Sequence, residues 1–389
     1  MPVAPVPGGP RADALARARA LAEPMGPRAA LVVTVGGVVV HVDDPGLADA
    51  GVVIEAARGD EPLPGLGALE PVHDAFGELH DAFLVDALSV RFAPKASPGL
   101  PVVVVHLVDG RAAPGPTPAG APASFPRTSV SVGTSADAGV VELLASAGDE
   151  GAALVVPVAE LDVGDDARLS YVNVQQLGPQ TVHLGTQASR VGRDATLRSF
   201  TAGFGAAYAR VRTDSDLVGQ GGETMLHAAY LGTGEQVHDF RTLQDHHAPR
   251  TRSELIFEGA VADAARSVYS GMIRIRKGAR GADAFQTNHN LVLSEGAHAD
   301  SVPNLDIQEN DVRCSHASTV GPIDEEQRYY LESRGIEPTV AERLIVLGFF
   351  SAMAARAPFD GPGRVVEETV ARRLAGRIGP PAPGEGRHG

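Results

Sequence analysis

Short apolar runs separated by glycine-centred turns occupy the chain from about residue 129 to residue 319. Some of these runs alternate, as where Ile273 and Ile275 are interleaved with Arg274 and Arg276. Alternation with a period of two is typical of β-strands that bury one face. Because no helical pattern intervenes, the sequence predicts either a parallel β-helix or a β-sandwich.

Two internal signals favour the β-helix. Residues 163–169 recur in modified form as residues 191–197, and later glycine–alanine turns are spaced by roughly 20 residues, a range typical of stacked units. Gln286, Asn288 and Asn290 lie on one face of a predicted strand, where amide side chains suit the ladders of repeating β coils. The glycine–alanine turns are centred on Gly205, Gly259, Gly278 and Gly296.

The first hundred residues predict a small α/β region. Residues 31–42 form a β-rich run that is broken at Gly36 and Gly37, which indicates a hairpin. A continuous β-branched run at residues 102–107 predicts a buried strand. The other predicted elements are a helix at residues 11–22, a strand at 52–56 and a helix at 76–88.

Helical patterns replace the strands after residue 321. Asp324 predicts a helix N-cap, with Gln327 completing a capping-box pair and Gly335 ending the helix. Thr339 and Glu342 predict a second capping box ahead of a strongly apolar helix. Two consecutive helices are therefore expected directly after the last strand.

A third helix is predicted near the C-terminus. After an expected turn at residues 360–363, apolar residues recur at every fourth position up to Gly379. These residues are Val366, Val370, Leu374 and Ile378. We therefore divide the chain into an N-terminal α/β region (1–100), a β-helix core (101–321) and a C-terminal helical domain (322–389), whose apolar helices either cap the β array or dock a partner.

The composition argues against several classes of function. Apolar residues make up 43% of the 389 residues, which is ample for a folded protein, whereas aromatic residues make up only 5% and tryptophan is absent. This balance favours tight turns over a large aromatic-lined pocket. A formal net charge of −15 argues against general binding to nucleic acids or anionic membranes, which requires clustered lysine and arginine.

The cysteine content limits redox and metal chemistry. The single cysteine, Cys314, rules out an internal disulfide and a self-contained cluster site with four cysteine ligands. The N-terminal segment lacks a basic stretch followed by an apolar one, and no window reaches about 18 uninterrupted apolar residues. We therefore expect a cytoplasmic protein without a signal peptide or a membrane span.

Cys314 and His316 are the main candidate metal ligands. In an extended strand, residues i and i+2 point to the same face about 6.5–7 Å apart, so a thiolate and an imidazole make half of a soft metal site. A structural role is the alternative, because Val312 shares this face and a lone cysteine is more often a small buried hydrophobe. The spacing alone leaves both interpretations open.

Asp245, His246 and His247 form a second candidate cluster. This sequence resembles the Asp-His-His motif of dinuclear metal phosphoesterases, which also need an earlier Asp-x-Asp on a strand. Asp214 and Asp216 match that requirement only nominally. A metal-dependent phosphoesterase is therefore kept as the alternative function. A polysaccharide-active β-helix enzyme would need carboxylates aligned on successive coils, and the sequence reveals no such row.

Other catalytic signals are missing from the sequence. Neither a Gly-x-x-x-x-Gly-Lys-Ser/Thr loop for ATP nor a Gly-x-Ser-x-Gly nucleophile elbow occurs. Glu325, Glu326 and Arg334 could suggest acid–base chemistry, but their placement at the two ends of a predicted helix is what the helix dipole favours. The sequence therefore favours a protein without catalytic activity.

The motif that contains Cys314 carries a resemblance to a known family. Residues 314–321, Cys-Ser-His-Ala-Ser-Thr-Val-Gly, followed by residues 330–336, resemble the signature of the SufD branch of the SufB/SufD family. These proteins are scaffold subunits of the SUF iron–sulfur cluster assembly system. The resemblance continues upstream through residues 283–286 and 290–294, and it implies a mainly β fold with a right-handed parallel β-helix core.

The resemblance also implies partners and site residues. Such a subunit pairs with SufB through the β-helix edge and binds the SufC ATPase through its C-terminal helices, so that SufC rather than this chain binds ATP. The family histidine at the SufB–SufD interface, implicated in forming a transient iron–sulfur cluster, maps onto His316, and its neighbouring cysteine onto Cys314. A homodimer of the isolated chain stays open. By position, the SufC-docking residues are Thr339, Glu342, Leu344, Leu347, Phe350, Val366 and Val370.

Overall fold

The computed structural model describes residues 10–58, 69, 74–108, 122–147 and 151–375. The candidate Ile378 and the helix end expected at Gly379 lie outside these residues. The helices are α1 (Pro10–Ala22), α2 (Ala75–Phe83), α3 (Glu325–Ser333), α4 (Pro338–Ala354) and α5 (Asp360–Ala375), with 3₁₀ turns at Glu23–Met25 and Leu47–Ala50. The strands are β1 (Ala30–Val35), β2 (Val38–Asp43), β3 (Val52–Arg58), β4 (Asp86–Phe92), β5 (Val102–Val108), β6 (Ala123–Ser124), β7 (Arg127–Val132), β8 (Asp137–Ser146), β9 (Ala153–Val155), β10 (Val158–Val163), β11 (Arg168–Gln176), β12 (Thr181–Val191), β13 (Thr196–Gly203), β14 (Tyr208–Leu217), β15 (Glu223–Gly232), β16 (Val237–His246), β17 (Arg252–Val261), β18 (Arg266–Ile275), β19 (Asp283–Val292), β20 (His298–Ile307) and β21 (Arg313–Gly321).

The strands of the described residues form two sheets, of ten and eleven strands. The ten-stranded sheet has the order β2-β1-β5-β8-β11-β13-β15-β17-β19-β21. The eleven-stranded sheet has the order β20-β18-β16-β14-β12-β10-β7-β4-β3, with β6 and β9 beside this path. From β10 onward, consecutive strands alternate between the sheets and neighbouring strands are parallel, giving a β-solenoid of about seven turns. The parallel β-helix expected from the sequence is confirmed.

The strands of the first hundred residues extend the same two sheets. β1 and β2 form the expected antiparallel hairpin, with Gly36 at φ 59° and Gly37 at φ 87° in its turn. The helix expected at residues 76–88 is shorter, because β4 pairs with both β3 and β7 and so takes the residues from Asp86 onward. The division of the chain at residues 100 and 321 stays a prediction.

Tight turns stack in register along one edge of the coils. The sequence repeat at residues 163–169 and 191–197 forms two such turns, with Asp166 at φ 57° and Asp194 at φ 52°. The Asp166 backbone N–H donates to the Arg193 carbonyl oxygen at 2.8 Å, so one turn is bonded to the next. Aspartate tolerates this left-handed conformation better than most residues, which explains its place in the repeat.

The later glycine–alanine turns, roughly 20 residues apart, were expected to mark one stacked unit each, and this prediction is wrong. Each coil has two strands and two turns, so Gly278 and Gly296 lie in turns on opposite edges, and Gly259 lies inside β17. Positions in register on neighbouring coils are between 26 and 32 residues apart, as for the pairs Arg190 and Asp216 and Arg274 and Asp306. The recurrence of residues 163–169 as 191–197, which are 28 residues apart, is therefore the repeat that reflects one coil.

Aromatic rings stack inside the coil. The ring centroids of Tyr230 and Phe240 are 4.5 Å apart, and those of Phe240 and Phe257 are 5.7 Å apart. The Tyr230 ring reaches across one coil, and its hydroxyl donates to Oδ1 of Asn290 at 2.7 Å. Gly259 lies in register between them, and a Cβ at that position would come within 2.0 Å of the ring. Glycine is therefore required at this place in β17.

The amide side chains of β19 share one buried face, as expected. Gln286, Asn288 and Asn290 are at most 1% exposed. They do not form a ladder from coil to coil, because the residues in register with Asn288 are Phe257 and Ser318. Nδ2 of Asn290 instead donates to Oδ1 of Asn288 at 2.8 Å along the same strand. The expected face is confirmed and the expected ladder is wrong.

α1, α4 and α5 pack on the outer face of the ten-stranded sheet. Phe350, Val366 and Val370 have no exposed surface and share one apolar cluster with sheet residues such as Val103 and Leu143. These three candidate docking residues therefore face the chain's own sheet, and their helical periodicity reflects that packing. None of the described helices has both the length and the hydropathy needed to cross a membrane.

The helix ends follow the sequence in part. Asp324 caps α3 by accepting two backbone N–H groups, as expected. The second capping box is wrong, because the cap of α4 is Glu337, and Pro338 occupies the first turn ahead of Thr339. Residues 360–363 form the first turn of α5 rather than a loop, since Gly361, Pro362 and Gly363 are buried by tertiary packing that overrides their low helix propensity.

Replacing Phe350 by alanine should destabilise the protein strongly. The side chain is fully buried between α4 and the sheet, so its removal should cost about 3–5 kcal/mol of unfolding free energy. Leu344→Ala, at a 47% exposed position of the same helix, should change the value by at most about 0.5 kcal/mol. Urea unfolding followed by circular dichroism measures both, and equal losses would contradict this packing of α4 on the sheet.

His183 and His238 lie inside the coil and are at most 2% exposed. Burial lowers the pKa of His183 to about 4 and, together with the charge of Arg373, that of His238 to about 3. Neither ring nitrogen of His238 has a hydrogen-bond partner within the described residues. The ordinary pKa of histidine is 6.5, so as the pH falls these histidines are protonated in the unfolded chain before they are protonated in the folded one. The stability that depends on neutral imidazoles is complete above pH 6.5 and is lost as the pH falls toward the folded values.

The variant His238→Gln should therefore be less sensitive to acid than the parent chain. Each such histidine makes the unfolding free energy fall by about 1.4 kcal/mol per pH unit below 6.5, or about 2 kcal/mol between pH 7 and pH 5. His298→Gln, which changes a largely exposed side chain, should keep the parent's dependence. Urea unfolding at pH 7, 6 and 5 tests this, and parallel curves for parent and His238→Gln would refute it.

Candidate functional site

The last coil, formed by β20 and β21, leaves the β-helix open at one end. Within the described part of the chain, β20 pairs only with β18 and β21 pairs only with β19. Each of the two strands therefore keeps one free edge of backbone N–H and C=O groups. Free edges of this kind are the usual place for a second chain to add a strand.

Apolar side chains line this open end. Leu305 is 38% exposed and Ile307 is 44% exposed, although the residues in register one coil earlier, Ile273 and Ile275, are fully buried. Val320 on β21 is also 42% exposed. None of these three exposed residues was a candidate from the sequence. The alternation of apolar and polar residues at 273–275 recurs at 305–307, and this pattern could have identified Leu305 and Ile307. Grouped exposed apolar side chains indicate a docking surface.

His316 lies on β21 at this open end. It is in register with Gln286, which is 1% exposed inside the preceding coil, yet His316 itself is exposed because no further coil covers it. Among the described residues, no side chain forms a hydrogen bond or an ion pair with its ring. The imidazole is therefore free to coordinate a metal ion at the edge of the molecule.

Cys314 shares the inward face of β21 but has a different environment. It is half-buried and packs against an apolar cluster that includes Ile273, Ile275 and Ala284. Burial raises the pKa of the Cys314 thiol, which disfavours the thiolate form that binds metals. In this environment His316 is the better ligand of the pair, and a ligand role for Cys314 stays a prediction.

The structure does not assemble the expected dinuclear phosphoesterase site. His246 is fully buried inside the coil, where Nδ1 lies 2.8 Å from the Thr251 hydroxyl and Nε2 lies 2.9 Å from that of Ser253. His247 lies on the outer face, because adjacent residues of an extended chain point in opposite directions. The two histidines therefore cannot hold one metal pair, and the Asp-His-His arrangement on which this alternative rested is not formed.

A mixed cluster forms outside instead. Asp216 and Asp245 are in register on β14 and β16, and Nε2 of His247 lies 3.5 Å from a carboxylate oxygen of each. All three residues were candidates from the sequence, where they were grouped with His246. Register between coils, rather than adjacency in the chain, brings them together.

The helical docking residues are divided by their exposure. Leu344 is 47% exposed, whereas Thr339, Glu342 and Leu347 are half-buried. The exposed tyrosines of α3, which sequence periodicity did not select, lie beside this surface. They are Tyr329, at 73% exposed, and Tyr330, at 58% exposed. Exposed large side chains on α3 and α4 therefore define the remaining candidate docking surface.

A family model matches a large part of this chain. The model is described as the SufBD core domain of the SUF system for FeS cluster assembly, and it matches residues 116–349. The matched residues include the open end, His316 and most of α4. The match therefore covers the residues to which the sequence resemblance was assigned.

Curated relatives agree with the family model. A SufBD family iron–sulfur cluster assembly protein of Mycobacterium tuberculosis is 40% identical over 205 residues, covering 51% of this chain and 52% of the relative. The iron–sulfur cluster assembly protein SufD of Escherichia coli is 30% identical over 216 residues, 56% of this chain and 51% of the relative. SufD of Bacillus subtilis is 30% identical over 218 residues, covering 56% and 50%. The chain spans about half the length of these relatives.

A charge placed at the open end should weaken association through it. We predict that the isolated chain dimerises through this end, and that Ile307→Lys, in which an ammonium group replaces a half-exposed apolar side chain, shifts this equilibrium toward monomer. Val182→Lys, a 37% exposed position on a strand that is paired on both edges, is the control. Sedimentation velocity measures both, and an Ile307→Lys chain that associates like the parent would disprove this role of the edge.

Proposed function

Because this chain belongs to the SufBD family of SUF-system iron–sulfur cluster assembly proteins, we propose that it is a SufD-type scaffold subunit. In this proposal it pairs with a SufB-type chain across the open end of the β-helix. His316 then contributes one ligand to a nascent cluster at the interface. The supporting observation is the exposed, unbonded imidazole on a strand whose outer edge is free.

Pairing at the open end follows from the chemistry of its two strands. A partner strand added to β20 or β21 would satisfy backbone groups that otherwise face water. Leu305, Ile307 and Val320 would be covered at the same time, which contributes roughly 25 cal/mol per Å² of apolar surface removed from water. Both effects favour a second β-helix that continues the coil.

The cluster in this proposal is cargo that the two chains share. Iron–sulfur clusters are held mainly by cysteine thiolates, and imidazole can replace some of them. This chain has one cysteine, which is half-buried, so the partner must supply most of the ligands. We expect the assembly to operate in the cytoplasm, where a free cysteine stays reduced. The finished cluster then leaves for an acceptor protein.

The C-terminal helices are proposed to bind the SufC ATPase. Tyr329 and Tyr330 on α3 and Leu344 on α4 expose the large side chains that anchor protein interfaces. ATP is bound by SufC, since this chain lacks a phosphate-binding loop sequence. Closure of SufC around ATP would move these helices and rearrange the SufB–SufD interface, exposing the ligands. This chain itself performs no catalytic step.

The variant His316→Ala should separate assembly of the complex from formation of the cluster. When it is co-expressed with the SufB-type and SufC-type proteins of the same organism, we expect a ternary complex of normal composition that has lost most of its iron and acid-labile sulfide. Ser318→Ala, two residues further along the same face of β21, is the matched control and should retain both. Iron and sulfide assays on the purified complexes provide the measurement.

The two outcomes that oppose the proposal differ in meaning. Undiminished iron and sulfide in His316→Ala would remove this histidine from the mechanism. Failure of the parent chain to form any complex with the SufB-type protein would remove the scaffold assignment itself.

A further inference from the structure

We propose that Asp216, Asp245 and His247 form a binding site for one divalent transition-metal ion of the zinc or iron(II) class. The site lies on the outer face of the eleven-stranded sheet, on β14 and β16 and the residue directly after β16. It is separate from the open end of the β-helix and from the cluster proposed there. The three ligand atoms lie within 4.8 Å of one another.

Parallel pairing of the strands positions these residues. Asp216 and Asp245 are in register on adjacent strands, so their side chains project side by side from the same face. The His247 backbone N–H donates to the Leu217 carbonyl oxygen at 3.1 Å. This bond extends the pairing of β14 with β16 by one residue and fixes the backbone from which the His247 side chain projects. The backbone that carries all three ligands is therefore held by hydrogen bonds.

The distances are compatible with a metal site and longer than those of hydrogen bonds. Nε2 of His247 lies 3.5 Å from Oδ1 of Asp216 and 3.5 Å from Oδ1 of Asp245. Charge-assisted hydrogen bonds are about 2.7–2.9 Å long, so neither contact is one. Ligand atoms that surround a tetrahedral ion at about 2.0–2.2 Å are separated by about 3.4 Å. Nε2 is also shielded from solvent and has no hydrogen-bond partner in the described structure.

The row of charges along the outer face independently distinguishes the same two carboxylates. Side chains in register on six successive strands of this sheet alternate in sign except at one step, where Asp216 is followed by Asp245. The row is Asp162, Arg190, Asp216, Asp245, Arg274 and Asp306. Like charges directly opposite one another on neighbouring strands are destabilising.

The side chain of His247 lies beside this row, next to Asp216 and Asp245. At the other steps a carboxylate has an arginine in register beside it, as where Arg190 donates to both oxygens of Asp162 at 2.9 Å and 2.7 Å. The His247 imidazole places a nitrogen ligand between Asp216 and Asp245. A divalent ion bound to all three groups would add positive charge at the one step where two carboxylates are neighbours, beyond the charge of Arg274 and Arg276, which both reach Asp245.

Arg276 supports the site and limits its affinity. Its guanidinium donates to both oxygens of Asp245, at 2.9 Å and 2.8 Å, and so fixes the orientation of the carboxylate. A carboxylate oxygen keeps a further lone pair for a metal after accepting one hydrogen bond. The half-exposed side chain of Asp216 leaves room for water to complete the coordination. One imidazole and two carboxylates suit borderline ions rather than Mg²⁺ or Cu⁺.

The test is a metal titration of the full-length, tag-free chain. The parent for this experiment is the double variant Cys314→Ala, His316→Ala, so that the proposed cluster ligands cannot bind the probe. After treatment with a chelator, we expect the chain to take up one equivalent of Zn²⁺ by calorimetry. With Co²⁺ it should develop the visible absorption of a low-symmetry nitrogen and oxygen site.

Two ligand variants and one control identify the site. His247→Gln and Asp216→Asn should weaken Zn²⁺ binding by more than the roughly 10–100-fold that accompanies loss of an outer-shell partner. His298→Gln, which alters an exposed histidine 3.1 Å from a single aspartate, should bind like the parent. Zn²⁺ should also raise the unfolding midpoint of the parent and of His298→Gln, but not that of His247→Gln.

Two results would overturn the inference. One is the absence of Zn²⁺ uptake by the parent, which would leave only a network of ion pairs at these residues. The other is unchanged affinity in both ligand variants, which would place the ion elsewhere. Circular dichroism of each metal-free variant shows whether it is folded. Since the parent lacks the residues proposed for the cluster, neither result bears on the scaffold function.

Discussion

Parallel hydrogen bonding from each coil to the next is the constraint on which the rest of this structure depends. It fixes the register, so residues that lie 26 to 32 positions apart in the chain become side-by-side neighbours on the same face. Every inward position is then covered by the coils before and after it. The exception is the last coil, since a stack of finite length must end with one face and two strand edges uncovered.

The same inward position can therefore serve packing or chemistry, depending only on whether another coil covers it. Gln286 and His316 are in register, and the first is sealed in the coil whereas the second reaches solvent. Cys314 lies between these two states, because the apolar cluster beneath it is complete on one side only. A metal-ligating residue at the end of a β-helix needs no pocket within its own chain, since a second chain bound at that end would enclose it from the other side.

Features that depend on residues close together in the sequence were predicted from local patterns. Features that depend on the register between coils could not be predicted in this way. The alternation of Ile273 and Ile275 and the N-cap at Asp324 depend on residues that are near in sequence, and both are confirmed. The apolar periodicity around Phe350 left both burial by a partner and burial by the chain's own sheet open, because periodicity shows that a face is buried but not what buries it; in the structure the sheet buries it. The wrong pairing of His246 with His247 has a similar cause, since adjacency in a strand means opposite faces.

The solenoid thus has two kinds of exceptional position, and at both of them the neighbouring coil does not supply the partner that stacking supplies elsewhere. At the open end, a neighbour required by the stacking is missing along the coil axis, and backbone edges and apolar side chains are left for another chain. On the outer face, the neighbour is present, but two carboxylates, Asp216 and Asp245, are in register at the one step where the row of charges does not alternate in sign. A repetitive fold makes each departure visible, because the adjacent coils show what the position would otherwise contain. The departures from the repeat, rather than the repeat itself, are therefore the places where binding should be sought.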